Sequence, residues 1–110
     1  MSAMQRNKGA NAERAVVRHL RSHGYPDARR YLAGDGRQPG DIDAIPGVSF
    51  EVKDQAVYCF PAWLAQAIAE AGERLPVVVA KPKGVSHDDV GDWWAVLRFD
   101  DLLELLRDAP

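Results

Sequence analysis

Apolar and polar residues change rhythm along this chain, and the changes mark its elements. Ala10, Glu13, Val16, Val17 and Leu20 recur at helical spacing, beside a separate basic row of Arg14, Arg18 and Arg21. The spacing predicts a helix over 8–23, stopped by Gly24 and preceded by a frayed polar segment from Met1 to Asn7. Glu13 is out of place on that inward stripe, because a carboxylate among apolar residues needs a cation or a donor. Ala28 to Leu32 reads as a strand, with Arg29 and Arg30 on opposite faces. A Gly-rich loop from Ala33 to Pro39 follows and carries Asp35 and Arg37. Pro61 opens a second helix running to about Gly72, with Trp63, Leu64, Ala67, Ile68 and Ala71 as its apolar stripe. Val77 to Ala80 is a continuous apolar run, as in a central buried strand. Trp93 to Arg98 alternates as a further strand. Asp100 then caps a last helix whose packing stripe is Leu102, Leu103, Leu105 and Leu106. One helix, three strands, a helix, two strands and a closing helix predict a single α/β domain over 1–110.

Between Gly40 and Lys53 the period is two, and here the polar residues are the unusual ones. Asp41 and Asp43 share one face of a short strand, while Ile42 and Ala44 take the other. After Pro46-Gly47, Glu51 and Lys53 share a face and Val48, Phe50 and Val52 share its opposite. A two-residue turn would put the aspartates and the Glu-Lys pair on opposite faces. A three-residue loop, Pro46-Gly47-Val48, pairs Ile45 with Ser49, Asp43 with Glu51 and Asp41 with Lys53, so that all four polar groups converge. The odd-length loop is therefore expected. Carboxylates and one ammonium on a single face suit a divalent cation held against a phosphate.

Composition narrows the class. The 46% hydrophobic and 27% charged content is that of an ordinary soluble domain. No apolar run approaches the ~18 residues of a membrane span, and no apolar leader core is present, so the expected setting is the cytoplasm. Cys59 alone offers neither an internal disulfide nor a cysteine zinc site. The net charge of −2 hides a gradient: residues 1–40 carry 8 Lys and Arg against 3 Asp and Glu, and residues 84–110 carry 2 against 7. The basic first third is where phosphates would be met.

Glu13, Gly40-Asp41-Ile42-Asp43 and Glu51-Val52-Lys53, in that order within 110 residues, resemble the signature of the PD-(D/E)XK nucleases. The likeness runs from about Arg6 to Arg98 and is nearest to the small Holliday-junction-resolvase-like branch found in archaea, bacteria and their phages. The resemblance implies a restriction-endonuclease-like core, a mixed central sheet flanked by helices. It implies Mg²⁺ or Mn²⁺ held by Asp41, Glu51 and the carbonyl of Val52, with Asp43 as an alternative or additional ligand. It implies that Lys53 orients or activates the attacking water and that Glu13 helps hold that water or a second ion. The expected products are a 5′-phosphate and a 3′-hydroxyl.

DNA is the implied partner, contacted through Lys8, Arg14, Arg29, Arg30, Arg37, Gln66, Lys81 and Lys83. Branched or four-way DNA is the implied substrate, cut by a homodimer in the host cytoplasm if the chain is phage-encoded. Tyr58, Phe60 and Trp93 could supply the dimer interface or serve as core. Three other readings stay open on the residues alone. The first is a nuclease for flap, nicked or single-stranded DNA, and the second a non-catalytic DNA-binding module. The third is a structural protein in which Glu51 and Lys53 merely pair.

Overall fold

A computed structural model of the chain describes residues 3–32 and 40–108. The expectations placed on Arg37 and the Gly-rich loop lie outside the described residues. The elements follow the expected order: helix α1 (Ala3–Ser22), strands β1 (Arg29–Arg30), β2 (Ile42–Asp43) and β3 (Val48–Lys53), helix α2 (Phe60–Ala71), strand β4 (Leu75–Ala80), strand β5 (Trp94–Val96) and helix α3 (Phe99–Asp108). The strands form one mixed sheet in the order β1-β2-β3-β4-β5. Only β3 and β4 run parallel, with Glu51 beside Val78 and Lys53 beside Ala80, and α2 is the crossover between them. The α/β architecture is thus the expected one.

Helices cover both sheet faces. On one side α1 lays Ala12, Ala15, Val16 and Val17 against Ile42, Val52 and Trp93. Ala12 and Ala15 are fully buried, so the inward stripe is rotated from the expected one and small residues let the helix sit close to the sheet. On the other side Trp63 and Ala67 of α2 pack on Val78 and Ala80, with Phe60 edge-on to Trp63. Each large side chain buried this way contributes about 1.5–3 kcal/mol. With both faces of β3 covered, the carboxylate of Glu51 is held inside the fold rather than on a wet surface.

Three expectations are corrected. Helix α1 begins at Ala3, five residues early, because Met4, Gln5, Arg6 and Lys8 favour helix even without an apolar stripe. Its end is as expected: Gly24 has φ 97°, and the Tyr25 N–H donates to the Leu20 carbonyl, closing a Schellman motif. The hairpin keeps an odd loop but in a register shifted by two, pairing Ile42 with Phe50. The corner is tighter than expected: Val48 N–H donates to the Ile45 carbonyl, with Pro46 and Gly47 (φ 81°) between them as a type II turn requires. Asp41, not Asp43, therefore stands across from Glu51. The leucines of α3 do not pack; Leu103 and Leu106 are 46% and 60% exposed. Of the two roles left open for them, Trp93 takes the core one on the α1 side, and Tyr58 and Phe60, half-buried, stack on each other against Trp94.

Candidate metal and active site

The hairpin, the first half of α1, the segment 54–57 and Gln66 of α2 surround a cleft of about 730 Å³ at the C-terminal end of β3. Glu13, Asp41, Glu51, Val52, Lys53 and Gln66 all line it, together with Lys8. Gly40 makes the arrangement possible. It sits at φ 88°, so close to the next strand that a Cβ would collide with the Phe50 carbonyl oxygen and stand 2.8 Å from Ser49 Oγ. That approach lets the Asp41 N–H donate to the Phe50 carbonyl at 2.7 Å, while Asp41 Oδ2 accepts the Val52 N–H at 2.8 Å. Asp41 thus grips the backbone on both sides of Glu51. Gly40→Ala is expected to lose about 2–4 kcal/mol of stability, from positive φ and the backbone clash together. Denaturant unfolding measures this, and a loss below that of an ordinary loop Gly→Ala change would show that the approach is not required.

Glu51 is 4% exposed, and its Oε2 has no hydrogen-bond donor. Its Oε1 lies 3.5 Å from Lys53 Nζ. Lys53 donates to Gln66 Oε1 at 2.9 Å, and the Gln66 amide donates to Glu70 Oε1 at 3.1 Å. Glu70 in turn faces Glu51 carboxyl to carboxyl, which closes the circuit. Burial first, then the hydrogen bond that a protonated Glu51 gives Glu70, then the charge of Asp41, push the Glu51 carboxyl up to about 8. Burial also pushes Asp41 up to about 6, with the Glu13 carboxylate adding to the rise and the Val52 N–H opposing it. Crowded carboxylates that resist ionisation in this way are short of positive charge, and one ammonium does not supply enough.

The donors are hard oxygens, as Mg²⁺ and Mn²⁺ prefer. Among the described residues no three His, Cys, Asp or Glu side chains are arranged to hold an ion by themselves. Two carboxylates and the Val52 carbonyl would leave the remaining positions to water and phosphate oxygens, the usual state of bound Mg²⁺.

Not every expected residue converges here. Asp43 pairs with Arg29 at 3.3 Å on an exposed part of the sheet edge. Glu13 lines the cleft but is tied to Arg30 Nε at 2.9 Å. Lys8 lies 3.7 Å from Asp54 at the cleft wall. Arg14, Arg29 and Arg30 line a separate groove of about 410 Å³ with Arg18 and Arg21. Lys81 donates its N–H to the Lys53 carbonyl, and the exposed Lys83 lies over the Tyr58 ring, so both stand at the neighbouring strand end outside the cleft. Glu70 was missed by sequence reasoning; its i+4 spacing from Gln66 was the available signal. Comparison with family models, curated proteins and solved structures finds no match for this chain.

Proposed function

We propose that the chain is a metal-dependent endonuclease hydrolysing DNA phosphodiester bonds, with a restriction-endonuclease-like core and branched DNA as its preferred substrate. The observation that carries this reading is the crowding of Asp41 and Glu70 around the buried Glu51, with Lys53 as the one ammonium beside it, at the floor of an open cleft. A structural Glu51–Lys53 pair needs no further carboxyls; a site for a divalent cation does.

Asp41, Glu51 and the Val52 carbonyl would hold Mg²⁺ or Mn²⁺, which when bound supplies charge neutralisation at the scissile phosphate and acidifies water. Lys53 is fixed by Gln66 and Glu51 so that its ammonium faces the cleft, where it orients the attacking water and offsets charge growing on the phosphoryl oxygens. Glu13, held by Arg30, presents a carboxylate oxygen to the same water network. The basic groove beside the cleft offers the strand its phosphate contacts.

Labelled four-way junction, duplex, flap and single-stranded DNA, each with Mg²⁺ or Mn²⁺, test the reading. Junction cutting that leaves 5′-phosphate ends is the expected result. Lys53→Met is expected to keep Mn²⁺ binding while cleavage falls by at least about a hundredfold. Preference for another DNA form would retain the chemistry and remove the junction as substrate. Tight DNA binding with no cutting under any metal would make the chain a binding module.

A further inference from the structure

Aromatic rings crowd one corner of the sheet without being covered as a core would cover them. Tyr58 and Phe60 lie nearly parallel with centroids 5.6 Å apart, and Trp94 leans on them at 5.4 and 6.0 Å. Trp63 meets Tyr58 and Phe60 edge-on from the core and is 5% exposed, whereas Trp94 is 44% exposed. The indole of Trp94 is therefore held in place but left open to solvent. Two lysines share the corner. Lys83 N–H donates to Tyr58 Oη at 2.7 Å, and its ammonium stands 5.7 Å from the centre of the Tyr58 ring. Lys81 N–H donates to the Lys53 carbonyl at 2.9 Å. The sheet register ties this corner to the cleft. Lys53 pairs with Ala80 and Ala80 with Trp94, and all three meet α2: Lys53 through Gln66, Ala80 in the core, Trp94 through Phe60. Trp94 is thus two strand spacings, about 10 Å, from Lys53 on the same face.

We propose that Trp94, backed by Tyr58 and Phe60 and flanked by Lys81 and Lys83, is a stacking platform for unpaired bases of a DNA strand that continues into the cleft. An open indole offers a base its π-face, and ammonium groups beside it meet the phosphates, the combination by which single strands are held. Charge favours this occupant over an apolar protein surface, against which two lysines would lose their hydration with nothing to replace it. The distance to Lys53 spans about three nucleotides at roughly 3.4 Å each. Bases inside an intact duplex have no free face, so the platform selects for DNA with unpaired nucleotides near the cut. The inference rests on the reading of the chain as a protein that acts on DNA, and narrows it.

Tryptophan fluorescence reads the platform directly, since Trp63 and Trp93 are buried. The whole chain, in EDTA so that nothing is cut, is titrated with oligothymidylate and with its duplex with oligoadenylate. Oligothymidylate is expected to quench the emission and to bind at least about tenfold more tightly than the duplex. Trp94→Leu is expected to lose most of the quenching and to weaken oligothymidylate binding about tenfold, and Trp94→Phe to recover most of the affinity. Lys81→Gln with Lys83→Gln, which leaves the rings in place, is expected to lower the slope of log affinity against log salt by about 1.4. Oligothymidylate binding without quenching, or binding that survives Trp94→Leu unchanged, overturns the platform and leaves the DNA reading standing. Equal binding of duplex and single strand overturns the selection for unpaired bases. A protein that binds neither form overturns the platform together with the DNA reading beneath it.

Discussion

Glu51→Gln is expected to abolish metal-dependent DNA cleavage, a loss of at least about a thousandfold, while making the metal-free protein more stable at pH 8. The two effects share one cause. Glu51 is buried beside Asp41 and Glu70, and ionising it there is opposed by desolvation and by both neighbours. Glutamine keeps the shape, removes the charge and can donate to the Glu70 carboxylate that now meets Glu51 carboxyl to carboxyl. What it cannot do is hold a divalent cation. Cleavage assays and thermal melts on the same preparation separate the outcomes. A variant that is inactive but less stable at pH 8 would mean that Glu51 is a structural ion-pair partner of Lys53. A variant that still cuts would move the metal site elsewhere.

Stability of the metal-free protein should fall as pH rises from about 4 to about 8, and metal should reverse the fall at the alkaline end. In the folded chain Glu51 holds its proton to about pH 8 and Asp41 to about pH 6, whereas unfolded carboxyls release theirs near pH 4. Between those limits the folded state binds more protons, so unfolding becomes easier with rising pH. The contribution is fully present below about pH 4 and is lost as pH passes the folded values. A melting temperature lower by on the order of 10 °C at pH 8 than at pH 5 is expected, relative to Glu51→Gln. Mn²⁺ at about a hundred times its dissociation constant returns about 2.7 kcal/mol at pH 8. At pH 5 it returns little, because protons compete for the same oxygens. Calorimetry with and without Mn²⁺ checks both halves, and equal stabilisation at the two pH values would rule out these carboxylates as the ligands.

How much of this was legible in the sequence depended on how local the physics was. Period-two alternation in Val48–Lys53 and the apolar run Val77–Ala80 identified β3 and β4, because burial on a sheet leaves a repeating mark. The polar convergence was legible as parity: an odd loop brings Asp41, Glu51 and Lys53 to one face in either odd register. The register itself was not, since it turns on whether the Pro46-Gly47 corner closes at Ile45 or one residue later, a matter of a single hydrogen bond. That bond decides between Asp41 and Asp43 as the partner of Glu51. Glu70 escaped because a carboxylate on a helix flank looks solvated until the opposing strand is known. The leucines of α3 misled for the opposite reason: an amphipathic pattern shows that a face wants covering, and says nothing about whether the same chain covers it.

α3 stands at the end of the sheet away from Glu51, where it lines a shallow cleft with Gly47 and Leu75, and this cleft shares no lining residue with the one around Glu51. The fold thus keeps two surfaces apart: whatever covers the exposed leucines meets a part of the sheet that carries none of the buried carboxylates, so the apolar face and the ionisation of Glu51 answer to separate mutations.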